Sequence, residues 1–198
     1  MRTLTKDLQA SLTPERALDI LVEGNKRFVS NLRFNRNLLQ QVNETSEAQY
    51  PFAIVLSCID SRTSSELVFD QGLGDIFSVR IAGNVLNEDI LGSMEFACQV
   101  AGSKLVVVLG HTKCGAIKGA CNHVKLGHLT GLLSKISPAL YEMEKQRDAK
   151  GESPDAFVAS PSTVVAVALI INGYTNLDIS TTDAAVNNTI IAVFTSGF

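Results

Sequence analysis

Three side chains in this sequence have the chemistry to hold a metal ion together: Cys58, His111 and Cys114. Cys58 lies in "SCIDSR" (Ser57–Arg62), and the other two lie in "GHTKCG" (Gly110–Gly115). Two thiolates and one imidazole suit zinc, a borderline-soft ion that favours sulfur and nitrogen. Three protein ligands leave a fourth position open, as in catalytic rather than structural zinc sites. At an open site zinc lowers the pKa of a bound water to about 7. Asp60 and Arg62 stand two residues apart, so in extended chain they face the same way. A guanidinium can grip a carboxylate through two parallel hydrogen bonds. Arg62 would then keep Asp60 ionised and off the metal, free to orient the water. Each residue also admits a plainer reading. A lone cysteine is commonly an inert buried thiol, a lone histidine a hydrogen-bonded core residue, and an Asp–Arg pair a surface contact of little energetic worth.

The sharper reading gains from what precedes both motifs. Phe52–Leu56 and Lys104–Gly110 are continuous apolar runs, the pattern of parallel strands buried on both faces. In an open α/β sheet, ligands bind beyond the carboxyl ends of the strands. If these two strands are neighbours, Cys58, His111 and Cys114 converge. Asp75–Gly83 is a further strand candidate. Helices are expected from a Thr13 cap with Pro14 in the first turn, over Asp89–Ala101, from Gly115 to Cys121, and over Gly131–Gln146. Residues 31–50 read as a short helix plus a loop, or as an arm lying on a partner. Strands alternating with helices predict an α/β fold, with a mainly parallel central sheet flanked by helices. Three regions are expected: an N-terminal helical arm over 1–50, a zinc-binding α/β core over 51–150, and an atypical segment over 151–198 that completes or extends the same domain. That last segment holds no Lys, Arg or His and is rich in Val, Ile, Ala, Thr and Asn, which favours strands or buried packing.

Bulk properties narrow the function classes. The 198 residues are 45% hydrophobic and 19% charged, enough for a real core. A net charge of −3 argues against a general nucleic-acid binder. Four cysteines are too few for a disulfide framework, and "MRTLTKDLQASL" lacks a signal-peptide apolar core, so a cytoplasmic location is expected. "VVAVALII" (Val164–Ile171) is too short to cross a bilayer as a helix, so no membrane span is expected.

At the two metal motifs the sequence resembles the β-class carbonic anhydrases. "C-I-D-S-R" is similar to that family's C-x-D-x-R signature, and "G-H-T-K-C-G" to its G-H-x-x-C-G. Three more pieces agree in order: "LVEGNKRF" (Leu21–Phe28), "GDIFSVRIAGN" (Gly74–Asn84) and "SMEFA" (Ser93–Ala97). The likeness covers roughly residues 14–140 and fades after about 150, where only "IINGYTNLDIS" (Ile171–Ser180) is faintly similar.

The resemblance implies one zinc ion per subunit on Cys58, His111 and Cys114, an Asp60–Arg62 dyad, and reversible hydration of carbon dioxide to bicarbonate and a proton. It implies a substrate-binding amide at Gln49, an apolar pocket from Phe77, Ala82 and Phe96, and a close backbone approach at Gly115. It further implies a homodimer or a dimer of dimers, with the N-terminal helices over the partner and Gln49 acting across the interface. The family's bicarbonate-inhibited subtype carries a tryptophan where this chain has Val55, so the plant-like, open-site subtype is the expectation. Two alternatives share these residues. One is a related zinc hydrolase acting on a CO2-like molecule such as carbon disulfide; the other is a non-catalytic zinc-holding oligomer.

Overall fold

A computed structural model describes residues 3–111 and 113–141, together with the backbone of three short strands at 169–171, 178–180 and 193–195. The chain begins with three helices: α1 (Lys6–Ser11), α2 (Pro14–Val29) and α3 (Leu38–Glu44). Each starts on a side-chain cap. Thr5, Thr13 and Asn37 accept hydrogen bonds from the backbone N–H groups of Leu8, Arg16 and Gln40, which the first turn would otherwise leave unpaired. Pro14 sits in the first turn of α2, where its missing N–H costs nothing.

The "LVEGNKRF" stretch seats α2 on the core. A Cβ on Gly24 would lie 1.7 Å from the carbonyl oxygen of Phe69, so only glycine allows this approach. Next to it, buried Asn25 donates through Nδ2 to the Val68 carbonyl at 3.0 Å. Arg27 pairs with buried Asp70. One turn of sequence thus supplies the clearance, the hydrogen bond and the ion pair.

Strands β1 (Ala53–Ser57), β2 (Ile76–Arg80) and β3 (Leu105–Leu109) are parallel, with β1 between the other two. Every residue of β1 and β3 is buried, as their unbroken apolar runs require, whereas the edge strand β2 is buried only in part. A fourth strand, β4 (Leu169–Ile171), pairs antiparallel with β3, with Leu105 opposite Ile171. Strands β5 (Asp178–Ser180) and β6 (Val193–Thr195) form a separate antiparallel pair. This is the α/β fold expected, with a mainly parallel sheet. The strands at the C-terminal end accord with its aliphatic, charge-poor composition; the remainder of 151–198 lies outside the described residues.

The helices α4 (Ser65–Val68), α5 (Glu88–Glu95), α6 (Gly115–Cys121) and α7 (Gly127–Ser134) flank the sheet. Helix α5 runs into a π turn over Phe96–Val100, so the expected helix at 89–101 is present but changes its winding. The helix expected over 131–146 starts earlier, at Gly127, and breaks at 135–136 before helical 137–141. Pro138 accounts for the break: it has no N–H for the Ser134 carbonyl, and it opens the following turn well. Residues 142–146 lie outside the described residues.

Two apolar clusters result. The larger packs the sheet against α2 and α5 and includes Leu21, Phe52, Phe69 and Met94. The smaller gathers Ile117, Leu133, Ile136 and Leu140 around Cys58 and Cys114.

Candidate metal centre

In the β1–β3 register Ser57 lies opposite Leu109, so the residues that follow each strand leave the sheet at the same level. The chain passes from β1 to β2 on one side and then to β3 on the other, so a crevice opens at the carboxyl end of β1. Cys58 enters it from β1, and His111 and Cys114 enter it from β3. Their ligand atoms all lie within 4.8 Å of one another, and all three residues are buried. Lys113 holds a positive φ of 56°, uncommon for a non-glycine residue and concentrated where function fixes the backbone. It turns the chain between His111 and Cys114, the two candidate ligands that follow β3.

The Sγ atoms of Cys58 and Cys114 are 3.9 Å apart, too far for a disulfide and close enough to share one ion. Burial pushes the Cys114 thiol up, and the neighbouring Cys58 adds to this. Two sulfur donors this close suit a shared soft or borderline cation. A third donor of imidazole type completes a set suited to zinc rather than to calcium or magnesium, which take oxygen ligands. The residues therefore fit a zinc ion.

The loop after β1 is braced from several sides. Arg80, the last residue of β2, donates through Nε to the Cys58 carbonyl at 3.0 Å and through Nη2 to the Asp60 carbonyl at 2.7 Å. Thr63 Oγ1 donates to the Asp60 carbonyl at 3.0 Å. The Gly83 N–H points at Cys58 Sγ from 3.5 Å, as a thiolate would favour. Gly83 lies in the one-turn helix Ala82–Asn84, at φ 70°. Arg80 and Thr63 were not identifiable from spacing; the signal for Arg80 was its place at the end of a strand beside β1.

Asp60 is gripped by Arg62 through two parallel hydrogen bonds, Nε to Oδ1 and Nη2 to Oδ2, each 2.9 Å, and the Arg62 backbone N–H adds a third at 3.0 Å. These bonds hold the Asp60 carboxyl well below the usual carboxylate range, and the same pairing raises Arg62. Asp60 Oδ2 also lies 3.7 Å from Nδ1 of His111. The carboxylate is thus beside the three-ligand cluster, ionised, and turned onto the guanidinium.

A cavity of about 260 Å3 opens from His111 and Cys114 between the 83–86 loop and the end of the α7 region, where Lys135, Ile136 and Ala139 form its wall. Asn84 stands at the loop side. Its Nδ2 donates to the Leu109 carbonyl at 2.7 Å, tying the loop to the end of β3. Ala82 is half-buried in the turn beside this wall. Gly115 opens α6, and a Cβ there would meet nothing within 4 Å in this chain. Gln49 is exposed on the segment between α3 and β1, off the wall of this cavity. Phe77 and Phe96 meet elsewhere, lining a second recess with Ile54 and Ala97 along the β2 edge. A single chain therefore assembles Cys58, His111, Cys114, Asp60 and Arg62, and leaves Gln49, Phe77 and Phe96 apart from them.

Comparison with known proteins agrees with this arrangement. A family model described as carbonic anhydrase matches residues 53–186. The carbonic anhydrase of Mycolicibacterium smegmatis is 38% identical over 133 residues, covering 64% of this chain and 65% of that protein. The chain spans just under two thirds of the length of the first curated relatives it matches. Among solved structures, a β-carbonic anhydrase of the fungal pathogen Aspergillus fumigatus is 25% identical, with a TM-score of 0.53 over 72% of this chain and 68% of that one. One of two tetrameric β-carbonic anhydrases from Sordaria macrospora shares the fold at 21% identity and a TM-score of 0.52, over 67% of this chain and 68% of that one. With the family model matched over most of its length and the Cys–His–Cys cluster at the sheet's carboxyl edge, this chain belongs to the carbonic anhydrase family, in its β class.

Proposed function

We propose that the chain catalyses the reversible hydration of carbon dioxide to bicarbonate and a proton, with a zinc ion on Cys58, His111 and Cys114. The observation that carries this reading is the buried three-ligand cluster, with Asp60 beside it but bonded to Arg62. Zinc at such a site supplies Lewis acidity that makes water a usable nucleophile near neutral pH. Arg62 keeps Asp60 charged and oriented. Asp60 accepts a hydrogen bond from the attacking water and so aims a lone pair at the carbon of CO2. Arg80 and Thr63 fix the loop that carries both Cys58 and Asp60, so ligand and orienting group move as one unit.

The substrate pocket is completed by a second copy of the chain. Gln49 and Phe96 are exposed in one chain, and the arm presents further exposed apolar residues, Leu32, Leu38 and Leu39 among them. Facing a partner, Gln49 donates its amide to a bicarbonate oxygen, and Phe77, Ala82 and Phe96 supply apolar surface for CO2. Gly115 leaves room for that approach. The working form is a dimer or a dimer of dimers, and the location is cytoplasmic. Among the described residues no helix is long and apolar enough to cross a membrane.

Stopped-flow CO2 hydration and zinc content on the purified protein, with Cys58→Ser beside it, test the reading. Wild type should bind about one zinc per subunit and hydrate CO2 well above buffer, and the variant should lose both. A wild-type protein with zinc but no rate above buffer would end the proposal.

A further inference from the structure

Between Glu95 and Glu142 the sequence holds no acidic residue and five lysines: Lys104, Lys113, Lys118, Lys125 and Lys135. The whole chain carries a net −3, so this segment is a basic island in an acidic protein. It contains two of the three metal ligands. Lys104 precedes β3 at the far end of the sheet, but the other four are exposed on the side of α6 and α7. The ion pairs among the described residues belong to arginines and His111; none of these lysines has an acid partner there. Lys135 alone of them lines the cavity that reaches His111 and Cys114, whose lining also includes Asn84, Val85, Ile117 and Ile136.

A positive group at the mouth of an apolar-walled cleft concentrates anions there, because the low-dielectric walls focus its field. Lysine suits this: it is a hydrated point charge on a flexible stem that attracts without locking an anion in place. We infer that the cavity beside the metal centre is an anion port with Lys135 as its selecting residue, raising the local concentration of small monoanions, bicarbonate among them, at the site. The inference rests on the proposed function and names a residue for it. Lys135 acts on anion affinity and not on the direction of reaction, since hydration and dehydration share one equilibrium constant.

The test uses the whole protein loaded with cobalt(II) in place of zinc, so that azide binding is read from the visible absorption of the metal. At low salt Lys135→Gln should weaken azide about two- to fivefold, the range of an exposed charge contact. Lys135→Arg should keep the wild-type affinity, and the difference should fade towards about 1 M salt. Neutral imidazole should bind all three alike. Azide affinity in Lys135→Gln equal to wild type at low salt overturns the port, as does an equal loss for imidazole, which would mark a change of shape. A wild-type protein that takes up no metal removes the reading beneath as well; an active wild type with an unaltered Lys135→Gln removes only this one.

Discussion

Two aspartates in this protein are each held by arginine, and they answer to different needs. Asp60 lies in a loop, one-fifth exposed, and its partner Arg62 is 61% exposed and only two residues away. Asp70 is buried, and its partners Arg27 and Arg36 come from 43 and 34 residues earlier in the chain. The Arg36 side chain is itself only 7% exposed and also donates to the Asp70 carbonyl. Phe34 lies against the Arg27 guanidinium, 4.1 Å from ring centroid to Cζ, and its backbone N–H donates to Asp70 at 3.3 Å. Asp70 itself has a φ of 47°, a left-handed backbone that aspartate tolerates better than most residues. The first pair sets the angle of one carboxylate at the site and adds little to stability. The second ties the N-terminal arm to the turn after α4, and so holds the arm on the core.

The sharpest way to break this contrast is Asp70→Asn. Asparagine keeps the shape and the left-handed backbone, so the change reports the charge. Removing one member of a buried ion cluster leaves desolvated cations behind, and the expected loss is about 3–5 kcal/mol. Guanidinium denaturation would measure it, and a loss below about 1 kcal/mol would put Asp70 in the class of an exposed pair. Acid dependence adds a second signature. Burial pushes the Asp70 carboxyl up, but the bonds from Arg27, Arg36 and the Phe34 N–H outweigh it and hold it below its ordinary value. Its stabilisation is therefore present above the ordinary carboxylate range and is lost as the pH falls below it.

The counterpart change, Asp60→Asn, should reverse the pattern. CO2 hydration should fall about 10–100-fold, as when a group that orients a metal-bound reactant is removed. The melting temperature should move by no more than about 2–4 °C, because an exposed pair contributes at most about 1 kcal/mol. Since Arg62 keeps Asp60 ionised far below neutrality, the pH profile of the wild type near neutrality should not report the titration of Asp60 itself, and a pH-dependent rate should persist in the variant. Equal loss of stability and rate would make Asp60 a structural residue.

The contrast also marks what sequence could reveal. Asp60–Arg62 was legible as a close pair for a reason the structure corrects: the two residues share a side in a turn, closed by the Thr63 N–H on the Asp60 carbonyl at 3.0 Å, and not in extended chain. Cys58 and His111 were legible because unbroken apolar runs put them at the ends of buried strands. Asp70 with Arg27 and Arg36 was not, because no local periodicity links a helix, a loop and a turn so far apart in the chain. The same holds for Arg80, whose role follows from β2 pairing with β1 and from nothing in its neighbours. Short helices escaped for another reason: α1 and α4 have six and four residues, too few for an apolar period to be seen. The break at 135–136 was not foreseen: the helix was expected to run through Pro138, whose missing N–H interrupts it.

A third aspartate sharpens the comparison with the smallest expected effect. Asp75 is buried like Asp70, but among the described residues no ion pair joins it to a cation; its Oδ2 accepts the Gly72 N–H at 2.7 Å. Burial pushes its carboxyl up, and that one hydrogen bond only partly opposes the rise. The sign is opposite to that of Asp70. With a folded value above the unfolded one, its contribution is fully present below the ordinary carboxylate range and is lost as the pH rises through the folded value. Asp75→Asn replaces the titrating carboxyl by a neutral acceptor that can still take the Gly72 N–H. Stability at pH 7 should therefore change by no more than about 1 kcal/mol, with a gain favoured. Denaturation at pH 5 and pH 7 should also differ less in the variant than in wild type. A loss above about 2 kcal/mol at pH 7 would mean that the ionised carboxylate, like that of Asp70, is part of a latch.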